Sequence, residues 1–296
     1  MHNLIDIRSL DKDKVTEIID LAAKFENEKA KSSCSGKHIA LIFCENSTRT
    51  KFSFEMATNK LGVNIYNFDT AKSSFSKGES MKDTIENLYA IGINGVVIRH
   101  SEAGFVDKSH SESNCPMEFI NAGDGNNAHP TQALLDFYTM KKHLESVEGK
   151  KIAIVGDIKH SRVAHSNVEL LKKFGADIWV CAPKYFKDEI KDVNYTDKLE
   201  IALKDADVAM FLRVQNERLE ERIPIFDYVH EYGLTMKKLR NFTKEGVLIM
   251  HPGPVNRDVE ISSEVLDSEY GKVILEQAHN GVFVRMAVLE MLLGNK

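Results

Sequence analysis

The chain of 296 residues is 43% hydrophobic and 28% charged, a composition typical of folded globular proteins and unlike that of disordered ones. Its 39 basic and 44 acidic residues give a formal net charge of -5, which excludes an overall positive field for holding nucleic acid or anionic lipid. The length predicts two domains rather than one compact core.

The first half of the chain alternates short β-branched runs with helical stretches, which is typical of β-α-β units around a mostly parallel sheet. Strands are predicted at 38–44, 63–68 and 95–99, with helices at 48–61 and 81–91. A proline then opens a segment of helical periodicity, 130–144, which we interpret as the helix that joins two lobes.

The second half repeats the alternation, with predicted strands at 151–155, 178–181, 208–212 and 247–250 and a helix at 163–174. We therefore predict an α/β fold of two lobes, each a mostly parallel sheet flanked by helices. The first domain is predicted to span 1–130 and the second 131–296. The apolar C-terminal helix, 281–294, is expected to pack back on the first domain.

The four cysteines lie far apart without a C-x-x-C pair, so neither a disulfide framework nor a zinc site is expected. Charged residues occupy the N-terminal stretch where a signal peptide needs apolar ones, and no segment approaches 18 consecutive apolar residues. We expect a cytoplasmic protein that binds no membrane and no nucleic acid.

Chemistry in a parallel α/β sheet is expected in the loops that follow the strands. Ser47, Thr48, Arg49 and Thr50 follow the first predicted strand and begin a helix. Hydroxyls, an arginine and the N–H groups of a helix N-terminus can together bind a phosphate. The same residues would also suit a simple helix cap beside an exposed arginine.

Three further strand ends carry polar donors, namely Arg99, His129 and the segment 251–254. Each one alone also fits a turn residue or a solvated charge. Together they place several donors at predicted strand ends without an acidic residue or thiol clearly positioned as a nucleophile, which favours electrostatic stabilisation over covalent catalysis.

The second lobe presents two arginines at predicted strand ends, Arg162 and Arg213. The turn after the strand 151–155 lacks the G-x-G-x-x-G pattern, so nicotinamide binding is not expected. Two arginines facing one cleft would suit a dicarboxylate. Two surface arginines without a shared target fit the spacing equally well.

Seven motifs occur in order along the chain: S-T-R-T at 47–50, K-G-E-S at 77–80, R-H at 99–100, H-P-T-Q at 129–132, G-D with an arginine at 156–162, R-V-Q at 213–215 and H-P-G-P at 251–254. With these motifs the sequence resembles, from end to end, the aspartate-specific catalytic chains of the aspartate/ornithine carbamoyltransferase family. Lys51, where arginine is usual, and Cys44 depart from the common pattern, and neither is an expected ligand.

The resemblance implies that carbamoyl phosphate is held by Ser47, Thr48, Arg49, Thr50, Arg99, His129, Gln132, Gly253 and Pro254. Thr50, Arg99 and His129 would reach the carbonyl oxygen, whereas Gln132 and the backbone around Gly253 and Pro254 would face the amide nitrogen. It also implies that aspartate is held by Arg162, Arg213 and Gln215, with Ser73 and Lys77 reaching in from a neighbouring chain. Among these, the residues expected to take part in catalysis are Arg49, Thr50, Lys77, Arg99 and His129.

The resemblance further implies a homotrimer whose sites are shared between chains, with a regulatory chain or a pathway enzyme as a further possible partner. The expected reaction forms a tetrahedral oxyanion and needs neither a metal nor an organic cofactor, because preset donors stabilise that oxygen and the leaving phosphate can accept the amine proton.

Two alternatives stay open at the level of sequence. The first is a carbamoyltransferase for ornithine or a related amine. Ornithine carbamoyltransferases share the S-T-R-T and H-P-x-Q segments, but they carry H-C-L-P where this chain has H-P-G-P at 251–254. A catalytically silent ligand-binding homologue would keep the fold. Release of phosphate from carbamoyl phosphate only in the presence of aspartate would distinguish these alternatives from the main interpretation.

Overall fold

The computed structural model describes residues 2–69, 78–214 and 225–294. The chain forms two compact units, the first made of Met1–Leu135 together with Ala278–Lys296 and the second of Asp136–Gln277. The boundary lies within the helix Pro130–Leu144 rather than at its start.

The sheet of the first unit has four parallel strands in the order β2-β1-β3-β4. The strands are β1 His38–Phe43, β2 Asn64–Phe68, β3 Gly95–His100 and β4 Glu118–Asp124. The helices between and before them are α1 Lys12–Glu26, α2 Thr48–Leu61, α3 Met81–Ala90 and α4 Phe105–Glu112. The central strands are apolar and buried on both faces, as parallel strands covered by helices must be.

Local sequence explains the ends and faces of these helices. Asp11 and Ser80 cap α1 and α3 by accepting hydrogen bonds from Lys14 N and Asp83 N. The apolar side chains of α1 recur at helical spacing and form its buried face. Gly62, with φ 71°, ends α2 in the left-handed conformation that glycine adopts without strain.

The sheet of the second unit has five parallel strands in the order β7-β6-β5-β8-β9. The strands are β5 Lys151–Val155, β6 Asp177–Cys181, β7 Asn194–Thr196, β8 Val208–Phe211 and β9 Leu248–Met250. The remaining helices are α5 Pro130–Leu144, α6 Arg162–Lys173, α7 Leu199–Leu203, α8 Ile225–Tyr232, α9 Met236–Phe242, α10 Ser263–Leu266 and α11 Lys272–Leu293. None of the helices in the described ranges is long and apolar enough to cross a membrane.

Each sheet contains one pair of neighbouring strands whose next strands along the chain lie on opposite sides of the pair. From β1 the chain passes outward to β2, whereas β3 leads to β4 on the other side; β5 and β8 have the same relation in the second unit. Loops diverge above such a pair and leave a crevice at the carboxyl ends of the strands. These two edges are therefore the places to look for binding residues.

The predicted architecture of two helix-flanked parallel sheets is confirmed, and most predicted elements lie within a residue of their observed bounds. Two elements differ from the sequence prediction. The sequence pattern predicts no strand at 118–124, where the structure has β4. It predicts the C-terminal helix only from residue 281, whereas α11 begins at Lys272 and continues through Gly281.

Candidate active site

The segment after β1 leads through Cys44 and Glu45 to the N-terminus of α2. Ser47 stands at the N-cap with an extended backbone, but within the described ranges its side chain makes no capping hydrogen bond. By contrast, the N-cap serines of α3 and α6 both accept such a bond. The start of α2 thus combines the partial positive charge of a helix N-terminus with an uncommitted cap hydroxyl.

Arg99 lies at the end of β3 with its side chain almost fully buried. Its Nη2 lies 3.2 Å from Glu45 Oε2, and its Nη1 donates a hydrogen bond of 3.1 Å to the carbonyl oxygen of Ala122. The Cys44 N–H in turn donates to the carbonyl oxygen of Arg99 at 2.9 Å. The guanidinium is therefore fixed between the β1 loop and β4, beside the segment that leads to α2.

The candidate residues in the first turn of α2 differ in how far their side chains are exposed to solvent. Thr48 and Arg49 are exposed, whereas Thr50 is buried. Phe54, one turn after Thr50, is fully buried, so this face of α2 points into the core. The exposed Arg49 is the residue of the turn best suited to meet a ligand from solvent.

The turn after β4 positions His129 and Gln132 through a buried aspartate. Asp124 accepts hydrogen bonds from Gly104 N at 2.8 Å, Asn121 Nδ2 at 2.8 Å and Ala128 N at 3.1 Å. The carbonyl oxygen of His129 then accepts from Gln132 N at 3.0 Å, which starts α5. The side chains of His129 and Gln132 are both buried, so their donors lie in a water-poor environment.

In the second unit, the turn after β5 requires a glycine. Gly156 has φ 127°, and a Cβ there would lie 3.0 Å from the carbonyl oxygen of Leu212 and 3.2 Å from Tyr228 Oη. The buried Asp157 then accepts from His160 N at 3.2 Å, and the Ser161 hydroxyl caps α6. Arg162, the first residue of α6, is buried at this edge of the sheet.

A buried carboxylate, Glu260, links the loop after β8 to the loop after β9. Its Oε1 accepts from Val214 N and from Asn256 Nδ2, both at 2.8 Å, and its Oε2 accepts from Asn256 N at 2.7 Å. Burial raises the pKa of Glu260 above its usual value, against the opposing effect of the Val214 and Asn256 N–H groups. The contact with Val214 fixes the backbone next to Arg213.

The H-P-G-P segment is held from its other side by a buried polar network. His251 N donates to Gln277 Oε1 at 2.9 Å, and Gln277 Nε2 donates to Asp136 Oδ1 at 2.8 Å. His251 Nδ1 accepts from Gly253 N at 2.8 Å, which places the ring proton on Nε2. Gly253, with φ 71°, and the exposed Pro254 follow.

The structure groups the predicted residues by unit. The carboxyl edge of the first sheet carries seven of them: Ser47, Thr48, Arg49, Thr50, Arg99, His129 and Gln132. The carboxyl edge of the second sheet carries four more: Arg162, Arg213, Gly253 and Pro254. Ser73, Lys77 and Gln215 lie outside the described residues. In the part of the chain that the structure describes, no group of three or more His, Cys, Asp or Glu side chains is placed to hold a metal ion.

Sequence reasoning missed the carboxylates that organise these edges, Glu45, Asp124 and Glu260. Glu45 stands just after the end of β1, so a search of predicted strand ends for acidic residues would have found it. Asp124 ends β4, which the sequence pattern does not predict, so that search would not have reached it. Glu260 lies in an irregular segment after β9, and only the fold brings it to Val214.

The fold and the two edges define a two-domain α/β protein with arginines at the carboxyl edges of both sheets. Residues 2–142 match the profile of the aspartate/ornithine carbamoyltransferase carbamoyl-P binding domain, and residues 148–292 match that of the Asp/Orn binding domain. The chain belongs to the aspartate/ornithine carbamoyltransferase family.

Solved structures support the same relationship. Aspartate transcarbamoylase from Trypanosoma cruzi, in complex with carbamoyl aspartate and phosphate, is 28% identical with a TM-score of 0.87, over 97% of this chain and 94% of that one. The same enzyme with carbamoyl phosphate and aspartate has a TM-score of 0.86 at 28% identity, with the same coverage. The catalytic subunit of M. jannaschii aspartate transcarbamoylase is 33% identical with a TM-score of 0.85, over 99% of this chain and 98% of that one.

We expect Glu260→Gln to lower the free energy of unfolding by about 2–4 kcal/mol, because the amide sets N–H donors against the N–H groups of Val214 and Asn256. Urea unfolding followed by circular dichroism measures the change. Glu264→Gln, the same replacement at an exposed position of α10, is the matched control and should stay within about 0.5 kcal/mol of wild type. Equal stabilities for the two variants would contradict the bridging role of Glu260.

Proposed function

We propose that this protein transfers the carbamoyl group of carbamoyl phosphate to the amino group of L-aspartate, giving N-carbamoyl-L-aspartate and phosphate. The observation that carries the proposal is the pair of arginines at the carboxyl ends of β5 and β8, Arg162 and Arg213, in a chain of this family. Guanidinium groups suit the two carboxylates of aspartate, whereas the side-chain ammonium of ornithine needs an acidic partner.

The first unit is proposed to bind carbamoyl phosphate. Its phosphate would lie at the N-terminus of α2, where Arg49 supplies charge-assisted hydrogen bonds and Ser47 and Thr48 supply hydroxyls. Arg99, His129 and Thr50 would donate to the carbonyl oxygen, and Gln132 would face the amide nitrogen. Burial of Arg99 and His129 supports this assignment, because fixed donors act more strongly where water is excluded.

The second unit is proposed to bind aspartate. Arg162 and Arg213 would each hold a carboxylate, with Gln215 next to Arg213 as a further ligand. The link from Val214 to Glu260 supports this role, since it fixes the backbone beside Arg213. The backbone around Gly253 and Pro254 would face the carbamoyl amide nitrogen.

The reaction itself is an attack by the neutral α-amino group on the carbonyl carbon. A carbon–nitrogen bond forms and a tetrahedral oxyanion develops, which Arg99, His129 and Thr50 would stabilise. The carbon–oxygen bond to phosphate then breaks, and the leaving phosphate takes one proton from the nitrogen. We propose no metal or organic cofactor, because charge and proton are balanced between the two substrates and these donors.

A homotrimer with shared sites is also proposed, in which Ser73 and Lys77 of one chain enter the site of the next. An exposed apolar surface on the first unit supports it: Phe52 is 64% exposed, Met56 50% and Tyr66 49%. Phe52 and Met56 lie one turn apart on α2, and Tyr66 lies on β2, the edge strand next to α2. Large apolar side chains exposed one turn apart on one helix, as Phe52 and Met56 are, suit a surface that another chain covers.

We further propose that the protein acts in the cytoplasm as an early enzyme of pyrimidine synthesis. A regulatory chain or a pathway enzyme is a possible additional partner.

The test of the function is an assay of ureido product with carbamoyl phosphate and either aspartate or ornithine. We expect carbamoyl-aspartate with stoichiometric phosphate release, and no citrulline above the uncatalysed rate. Activity with ornithine alone would reassign the acceptor. Absence of product with both amines, with intact folding by circular dichroism, would make the protein a silent homologue.

Arginine replacements should separate the two binding sites. We expect Arg49→Ala to lower kcat by about 10²- to 10³-fold, because phosphate charge grows as the carbon–oxygen bond breaks. Arg213→Ala should raise the KM for aspartate by about 10- to 150-fold, since it removes a charge-assisted pair of about 1.5–3 kcal/mol. Steady-state kinetics against both substrates measures these effects, with Arg240→Ala at an exposed position of α9 as the control. An equal loss of affinity for both substrates in Arg213→Ala would contradict the assignment.

Complementation tests the shared site. Arg49→Ala and Lys77→Ala chains, each inactive alone, are dissociated, mixed equally and reassociated. About three-quarters of random trimers are hybrids, and each holds one intact site in three, so activity should recover to about one quarter of wild type. No recovery, with hybrid trimers verified by native mass spectrometry, would rule out sites built from two chains.

A further inference from the structure

A single arginine interrupts the apolar C-terminal half of α11. Arg285 is only 3% exposed. Its Nη1 donates to Ser53 Oγ at 2.9 Å and to the carbonyl oxygen of Gly281 at 3.1 Å, and its Nη2 donates to Thr131 Oγ1 at 3.4 Å. Its guanidinium carbon lies 5.1 Å from the ring centroid of Phe54. The charged group is thus bound on several sides inside the first unit.

Gly281 provides the space that this guanidinium occupies. Glycine is unfavourable inside a helix, yet it stands in the middle of α11. A Cβ at this position would lie 2.6 Å from Arg285 Nη1, 3.0 Å from Leu135 Cδ2 and 3.6 Å from Ser53 Oγ. The pair Gly281 and Arg285, one turn apart, therefore acts as a unit in which the glycine admits the arginine.

The partners of Arg285 lie on the two helices that carry the candidate ligands for carbamoyl phosphate. Ser53 follows Arg49 by one turn of α2, and Phe54 follows Thr50 by one turn. Thr131 lies between His129 and Gln132, in the first turn of α5. The guanidinium group of Arg285 thus forms hydrogen bonds to both the start of α2 and the start of α5. Arginine suits this position because its N–H donors point in several directions.

We propose that Arg285 is a positioning residue for carbamoyl phosphate. It fixes the distance between the α2 turn that meets the phosphate and the α5 turn that meets the carbonyl group. Donors held in place before the substrate arrives need no reorganisation during the reaction. This inference rests on the proposed function, because it concerns the site assigned there to the first substrate.

A purely structural role predicts a different result from a positioning role. Loss of a structural contact lowers the folded fraction but leaves the KM of the folded enzyme unchanged. Loss of a positioning contact raises the KM for carbamoyl phosphate and lowers kcat, while the KM for aspartate changes little. The comparison of the two KM values therefore decides between the two roles independently of the amount of active protein.

The test uses two variants that disturb the arrangement in different ways. Arg285→Lys keeps the positive charge but removes the planar fork whose separate nitrogens bind Ser53 and Thr131. Gly281→Ala keeps the arginine but places a Cβ 2.6 Å from the position of Arg285 Nη1. We expect each to raise the KM for carbamoyl phosphate at least about tenfold, with the KM for aspartate within about threefold. Arg240→Lys, at an exposed site, is the control and should match wild type.

Two further measurements keep the proposal testable. If both variants fail to fold, Ser53→Ala removes one partner of Arg285 by a small change and should raise the same KM about threefold or more. Calorimetric titration with inorganic phosphate measures the first site without turnover, so a wild-type protein that binds phosphate but carbamoylates neither amine would overturn the proposed function alone. Variants that fold and keep wild-type KM and phosphate affinity would overturn the role of Arg285.

Discussion

Parallel pairing of β1 with β3 and of β5 with β8 is the constraint on which the rest of the molecule depends. Parallel neighbours cannot be joined by a tight turn, so each strand must be followed by a crossover that returns the chain to the opposite end of the sheet. Because both pairs are flanked by strands reached in opposite directions, their loops diverge and leave the carboxyl ends accessible. The ends of these four strands and the segments after them carry Ser47, Thr48, Arg49, Thr50, Arg99, Arg162 and Arg213, whereas His129 and Gln132 follow β4 and Gly253 and Pro254 follow β9.

Buried charges then stabilise these edges by joining elements that the sheet alone leaves separate. Arg99 connects the β1 loop to β4, Glu260 connects the loops after β8 and β9, and Arg285 connects α2 to α5. Removing a charge from water is costly unless hydrogen bonds replace the lost solvation, and each of these groups makes several. The same bonds that offset this cost also restrict the motion of the neighbouring ligands.

The sequence predicted most of the strands and helices well, but it missed most of the buried charged residues that connect them. Apolar runs and helical spacing located β1, α2 and β5 because those patterns are local. Strand-end donors such as Arg99 could be proposed from position alone. Glu260 and Arg285 could not, because their partners are 46 and 232 residues away along the chain and only the fold brings them together.

The discontinuous first unit has a consequence for how the chain folds during synthesis. Its N-terminal part ends at Leu135, and its last segment begins at Ala278, after the whole of the second unit. Ser53 meets Arg285 and Ser33 meets Glu290 only when the C-terminal helix has left the ribosome. The second unit can therefore be completed first, although its residues are made later than most of the first, and α2 gains its contact with Arg285 only after α11 has been made.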